Sequence, residues 1–264
     1  MDYTSIEVTE SGPIRTITLN RPERRNAMTP EMQMELIVAL EETAQSDFRV
    51  LVLAGAGEAF CAGLDLSALQ AMQDKSAAEH RVDAERIARL FLALYEMPVP
   101  TIAAVHGAAI GGGAGLATIC DFTLATPATK FGFTEARIGF VPALVSAFLA
   151  LQIGDKQSRD LLLTGRIVDA AEAHRIGLVN EVVAAENVQG QLVQALLHLA
   201  GEGRQERIRD DARTDLHGGR ADVHVRHEVG HHYRRHQTGE CRPDDPGAIA
   251  PQNVDIVFDV GGTP

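Results

Sequence analysis

From Met97 to Cys120 no residue carries a formal charge. A run of that length either crosses a membrane or lies inside a fold. Here Pro98 and Pro100 interrupt it early, five glycines interrupt it later, and His106 sits within it. A spanning helix needs about 20 residues of regular helical potential, so the run reads as two buried elements with a joint between them. "PTIAAVHG" (100–107) is a buried strand, "AIGGGAG" is the joint, and a helix follows. Glycine inside a regular element costs about 0.5–1 kcal/mol relative to alanine. Gly111, Gly112 and Gly113 in succession at a helix start therefore need a physical reason.

A helix N-terminus exposes unpaired N–H groups and a partial positive charge. Glycines there let a ligand approach the backbone and permit unusual dihedral angles. Two readings follow: a donor site for an oxygen that carries or develops negative charge, or close packing of the helix on its strand. No phosphate-binding pattern fits, since GxxxxGK[ST] does not occur and GxGxxG fails at Leu116.

The flanking chain alternates strand and helix patterns. "PIRTITLN" (13–20) and the apolar "FRVLVLAG" (48–55) read as strands, and "DFTLATPATKFGF" carries another. "NAMTPEMQMELIVALEETAQ" reads as a helix with Thr29 as N-cap and Pro30 in its first turn. "AAEHRVDAERIARLFLALYEM" is helical, and "DAAEAHRIGLVNEVV" (169–183) opens on a capping box, Asp169 with Glu172, and stops at Gly177. "IGFVPALVSAFLAL" (138–151) suits a buried helix or the wall of an apolar pocket. The alternation to about residue 200 implies an α/β fold with largely parallel pairing.

Net charge is −12 with only three lysines, which argues against nucleic acid or an anionic membrane as partner. Three distant cysteines, Cys61, Cys120 and Cys241, imply no disulfide framework, and the polar, acidic N-terminus resembles no leader, so a cytoplasmic location is expected.

A second glycine-containing turn, "GEAFCAGLDLSAL" (57–69), also follows a strand. Two such turns can each aim one N–H at a single oxygen, which is an oxyanion hole. Here the chain resembles a known family. "LNRPERRNAM", "AFCAGLDL", "HGAAIGGGAGLATICD", "FGFTEARIGFVP" and "LLLTGRIVDAAEAHRIGLVNEVV" are together similar to the enoyl-CoA hydratase/isomerase (crotonase) family, in family order over roughly residues 5–200. The resemblance implies a crotonase-like repeated ββα spiral that binds acyl-CoA thioesters. It implies oxyanion N–H donors at Leu64 and Gly112 and substrate contacts from Ala62, Gly63, Leu64, Asp65, Leu66, Gly111, Gly112 and Arg25. It implies no metal or redox cofactor, because CoA arrives on the substrate, and a homotrimer or hexamer. Removing one oxyanion donor costs about 3–4 kcal/mol of barrier.

Family hydratases carry two glutamates that hold a water. One register position is Glu135, and the other is Gly115, which has no side chain. Phe131, Phe133 and Phe140 surround Glu135 in sequence, so its pKa is expected to rise. One carboxylate suffices to move a proton between carbons, whereas a water anchored once is harder to add. Double-bond isomerisation is therefore the expected reaction. Hydration proper and a catalytically impaired acyl-CoA binder are the alternatives. Asp65 reads as a substitute acid or as a tie for its turn. Arg21, Arg24 and Arg25 read as phosphate contacts or as a solvated turn. Cys61 reads as a buried filler and His106 as a satisfied core histidine.

After residue 200, Arg, His, Asp and Gly replace leucine, which recurs only at Leu216. Residues 201–264 are expected to be a divergent, poorly ordered segment in place of the family's helical trimerisation region, read in a shifted frame or foreign to the family. "HEVGHHYRRH" contains HExxH, with His227, Glu228 and His231 and a third ligand candidate at His236. That pattern serves zinc hydrolases. Arg234 replaces the extended motif's glycine, and a histidine-rich tract yields the pattern by chance, so no metal is expected.

Overall fold

The computed structural model describes residues 3–184. In chain order the elements are β1 (Ile6–Ser11), β2 (Ile14–Leu19), α1 (Pro30–Ala44), β3 (Val50–Gly55), α2 (Leu66–Ala71), α3 (Ala77–Tyr95), β4 (Thr101–Val105), β5 (Ala108–Ile110), α4 (Gly112–Ile119), β6 (Phe122–Ala125), β7 (Lys130–Gly132), α5 (Ala143–Thr164), β8 (Ile167–Asp169), α6 (Ala170–Arg175) and β9 (Glu181–Val182). The tail and its HExxH lie outside the described residues, as does the boundary expected at residue 200.

The strands form two sheets. The larger runs β1-β2-β3-β4-β6-β9, parallel from β2 onward, and the smaller runs β5-β7-β8. Parallel neighbours need a crossover, and helices supply it. Three turns of the chain each add one strand to the large sheet, one short strand or bridge beside the small sheet, and then a helix. β4-β5-α4 and β6-β7-α5 are two such turns; β3 followed by the Cys61–Ala109 bridge and α2–α3 is another. This is the expected repeated ββα pattern.

The apolar runs form the strands that both faces of a sheet require. β3 from Val50 to Ala54 and all of β4 are buried. Thr29 caps α1 by accepting from Met32 N–H, and Pro30 occupies its first turn. Ser76 and Glu79 form a complete capping box on α3 that the sequence reading overlooked.

Four readings need correction. The segment 122–133 carries two strands in different sheets, because Thr126 and Thr129 close a turn between them, their hydroxyls 3.0 Å apart. The box at α6 is half formed: Asp169 accepts from Glu172 N–H, while the Glu172 carboxylate pairs with Arg166 instead. In 138–151 the helix begins only at Ala143, after a left-handed Gly139 and Pro142. That break leaves Ile138, Phe140 and Val141 exposed, which removes Phe140 from the expected wrapping of Glu135. His106 is only half buried, with its Nε2 2.9 Å from the Gly57 carbonyl oxygen. No helix among the described residues is long and apolar enough to cross a membrane.

Candidate active site

Two turns meet beside the N-terminus of α4. The first is Cys61–Asp65. Cys61 N–H donates to the Ala108 carbonyl, Ala62 N–H to Arg25, and Asp65 N–H to Met28, while the Gly63 carbonyl accepts from Met28 N–H. These bonds stitch the turn between the Arg25–Met28 segment and β5. The Leu64 N–H has no acceptor among the described residues. The second turn is Ile110–Gly113. Gly111 N–H donates to Gly132, and Gly112 N–H, the first of α4, has no acceptor among the described residues.

The turns touch. A Cβ added to Gly63 would lie 2.9 Å from the Ile110 carbonyl oxygen and 3.7 Å from Gly112 N. One added to Gly113 would lie 2.6 Å from Cys61 Cβ. The close approach therefore demands glycine at both positions. Gly63 also holds φ +92°, a region that side chains disfavour. The packing reading of the glycine joint is thus met by the two close approaches.

Glu135 reaches the same place from a 3-10 turn, Thr134–Ile138, that follows β7. A Cβ on Gly111 would stand 3.1 Å from its Oε1. The other oxygen, Oε2, is buried and unpartnered. Burial pushes the carboxyl above the ordinary glutamate range. Phe131 and Phe133 are fully buried in the same segment.

Gly115 lies one turn further along α4. A Cβ there would meet Val145 Cγ2 at 2.7 Å and Phe91 Cε1 at 2.9 Å. No carboxylate fits this position without moving both.

The other expected residues divide by role. Asp65 ties down its turn: it caps α2, accepts from Ser67 N–H and Oγ–H, and pairs with Arg21 at 3.0 Å. Ser67 and Arg21 hold its carboxyl below the usual range. The same contact engages Nη1 of Arg21, which also donates to the Ala27 carbonyl. Arg24 and Arg25 are exposed, and Arg25 contributes its carbonyl to the first turn. Leu66, the first residue of α2, is 75% exposed. Cys61 is the expected filler, fully buried and donating to the Asn26 carbonyl; burial pushes its thiol up to about 12. Among the described residues no cluster of His, Cys, Asp or Glu could hold a metal.

Sequence reasoning missed Asn26. It is fully buried at φ +55°, its Nδ2 donates to the carbonyls of Ala56, Ala59 and Phe60, and its Oδ1 accepts from Arg21 N–H. It thereby fixes the "RPERRNAM" loop to the chain entering Cys61–Asp65. Asparagine's tolerance of left-handed backbone was the available signal.

Comparison with known proteins gives the family. The family model described as enoyl-CoA hydratase/isomerase matches residues 9–215. A relative from Thermus thermophilus named "Putative enoyl-CoA hydratase" is 45% identical over 174 residues, covering 66% of this chain and 69% of that protein. "Crotonyl-CoA hydratase" of Syntrophomonas wolfei is 32% identical over 209 residues, covering 77% and 78%. The crystal structure of an enoyl-CoA hydratase from Mycobacterium smegmatis superposes with a TM-score of 0.70 at 31% identity, covering 75% of this chain and 77% of that one. With a matching family model over most of its length and relatives of this similarity, the chain belongs to the enoyl-CoA hydratase/isomerase family, whose members process acyl-CoA thioesters.

Proposed function

We propose that this enzyme shifts a double bond in an enoyl-CoA thioester by intramolecular proton transfer. In this reading the thioester oxygen sits between the Leu64 and Gly112 N–H groups, which favour the enolate over the neutral thioester. The ionised Glu135 takes a proton from the α-carbon of a 3-enoyl thioester. The electron pair of the broken C–H bond spreads over the dienolate, and the protonated Glu135 then delivers the same proton to the γ-carbon. No other reactant enters and none leaves. The reading is carried by one observation: Glu135 presents a buried, unpartnered oxygen, while the Gly115 position on α4 has no side chain and no room for one.

Hydration is the second reading, favoured by the hydratase names of the relatives. It needs a water held by Glu135 without a second carboxylate at Gly115. Incubation with 3-enoyl-CoA and with 2-enoyl-CoA, followed by absorbance of the conjugated thioester, separates the two. The expected result is conjugation of the 3-enoyl substrate faster than loss of the 2-enoyl one; the reverse order overturns the proposal. Glu135→Gln is expected to lower turnover by about 10²–10⁴-fold while thioester binding survives, and a fully active variant removes Glu135 from the reaction.

A further inference from the structure

We infer that Phe91 and Val145 are specificity-determining residues: together they plug the space beside Gly115 and keep a water from being held on that side of Glu135. The inference rests on the proton-transfer reading above. Gly115 N–H donates to the Gly111 carbonyl at 3.0 Å, so the two glycines are one turn apart on α4. At Gly111 the space outside the helix belongs to the Glu135 carboxylate. At Gly115 it belongs to carbon: Val145 from α5 and Phe91 from α3, 5% and 1% exposed. α5 packs on both α4 and the turn that carries Glu135, so the plug borders the Glu135 side of the site.

The plug is backed as well as placed. The Phe148 ring lies 6.4 Å from that of Phe91 and 5.1 Å from that of Tyr95. Phe91 is thus buried and in ring contact, as a packed core side chain is. Addition of water to a double bond needs a water that is oriented and loses a proton to a base. The side chains of Phe91 and Val145 offer that water no acceptor. On this side the dienolate meets Glu135 as its single proton partner, and return of the proton to carbon is the path left open.

Two measurements test the plug. The first is independent of any reaction. Gly115→Ala is made in the unaltered chain and in a Phe91→Leu/Val145→Ala background, and the melting temperatures are compared. The alanine is expected to lower melting in the first and to be tolerated in the second; equal lowering in both overturns the plug. The second reads products. Gly115→Glu is made alone and with Phe91→Leu/Val145→Ala, and hydration of 2-enoyl-CoA is measured against isomerisation of 3-enoyl-CoA. The ratio is expected to rise by about a hundred-fold in the combined variant only. An equal rise from Gly115→Glu alone, or none in a folded, thioester-binding combined variant, overturns the inference. If melting shows the coupling but the unaltered chain hydrates faster than it isomerises, the proposed function falls and water exclusion falls with it. Loss of the coupling alone leaves that proposal standing.

Discussion

Gly111 and Glu135 are matched across the site: a Cβ on Gly111 would stand 3.1 Å from Glu135 Oε1. Gly111 also holds φ +55°, and its N–H is held by the Gly132 carbonyl in the strand that leads into the Glu135 turn. The backbone of one residue thus sets where the carboxylate of the other rests. The carboxylate gains little from this placement, since Oε2 is buried without a partner. Unsatisfied polar groups of this kind cost stability and persist where a function uses them.

That cost predicts a pH-dependent stability. The folded pKa of Glu135 is raised by burial above its unfolded value. Between the two values the native state binds more protons than the unfolded state, so stability falls as pH rises through that window and stays reduced above it. Glu135→Gln lacks this ionisation. It is expected to melt at or above the unaltered chain at neutral pH, with the margin narrowing on acidification. Thermal melts across a pH series check this. A variant less stable at neutral pH by the same amount as in acid would mean that the carboxylate is not strained by burial. In the proposed reaction the ionised form is the base, so the acid limb of kcat is expected above the ordinary glutamate range.

The glycine joint predicts a contrast between neighbours. A Cβ on Gly113 would meet the Cys61 backbone and lie 2.6 Å from Cys61 Cβ, inside a bridged segment that cannot yield. A Cβ on Gly112 meets only Met28 Cε, at 2.8 Å, the end of a flexible side chain. Gly113→Ala is expected to cost about 3 kcal/mol or more and Gly112→Ala about 1 kcal/mol or less. Denaturant unfolding of the two variants measures the gap, and equal losses would refute it.

The elements that were legible beforehand are those whose physics is local. β3 and β4 are continuous apolar runs because both faces are covered, and α1 declares itself through Thr29 and Pro30. β5, β7 and β8 have three residues each, too few to show any period, and their pairing is decided by partners distant in sequence. The site divides in the same way. Gly111, Gly112 and the turn at Leu64 stand out because glycine clusters are costly without a use. Asn26 does not, since directly after Arg24 and Arg25 it looks like part of a solvated loop. Phe91 and Val145 are unreadable as site residues, because only the fold brings α3 and α5 to Gly115.

Asn26 predicts a loss that the conservative substitution does not rescue. Its Nδ2 lies 2.8 Å from the Ala56 and Ala59 carbonyl oxygens and 3.2 Å from that of Phe60. Asn26→Ala leaves buried carbonyls without their donor and is expected to cost about 3 kcal/mol. Asn26→Asp retains the shape and the acceptor for Arg21 N–H, but points a second carboxylate oxygen at three carbonyls. It is expected to be at least as damaging near neutral pH and to recover on acidification, when a protonated carboxyl again donates. Melting temperature against pH for both variants checks this; an aspartate variant that stays fully stable near neutral pH would contradict it.

Asp65 predicts the opposite pH behaviour from Glu135. The Ser67 hydroxyl, the Ser67 N–H and the Arg21 guanidinium hold its carboxyl below the ordinary aspartate range. A depressed folded pKa contributes stability above the unfolded value, and that contribution is lost as pH falls through the folded one. Asp65→Ala removes the α2 cap and the partner of Arg21, and is expected to cost about 1–2 kcal/mol at neutral pH. The cost should shrink below about pH 4, where the unfolded carboxyl protonates. Asp65→Asn keeps a capping oxygen without the charge, so it is expected to fall between the two. The Leu64 N–H precedes Asp65 in the same turn, so in the proposed reaction kcat should fall in the order Asp, Asn, Ala, with melting following the same order. A kcat unchanged by Asp65→Ala, in a variant whose melting drops as expected, would separate the turn from the chemistry.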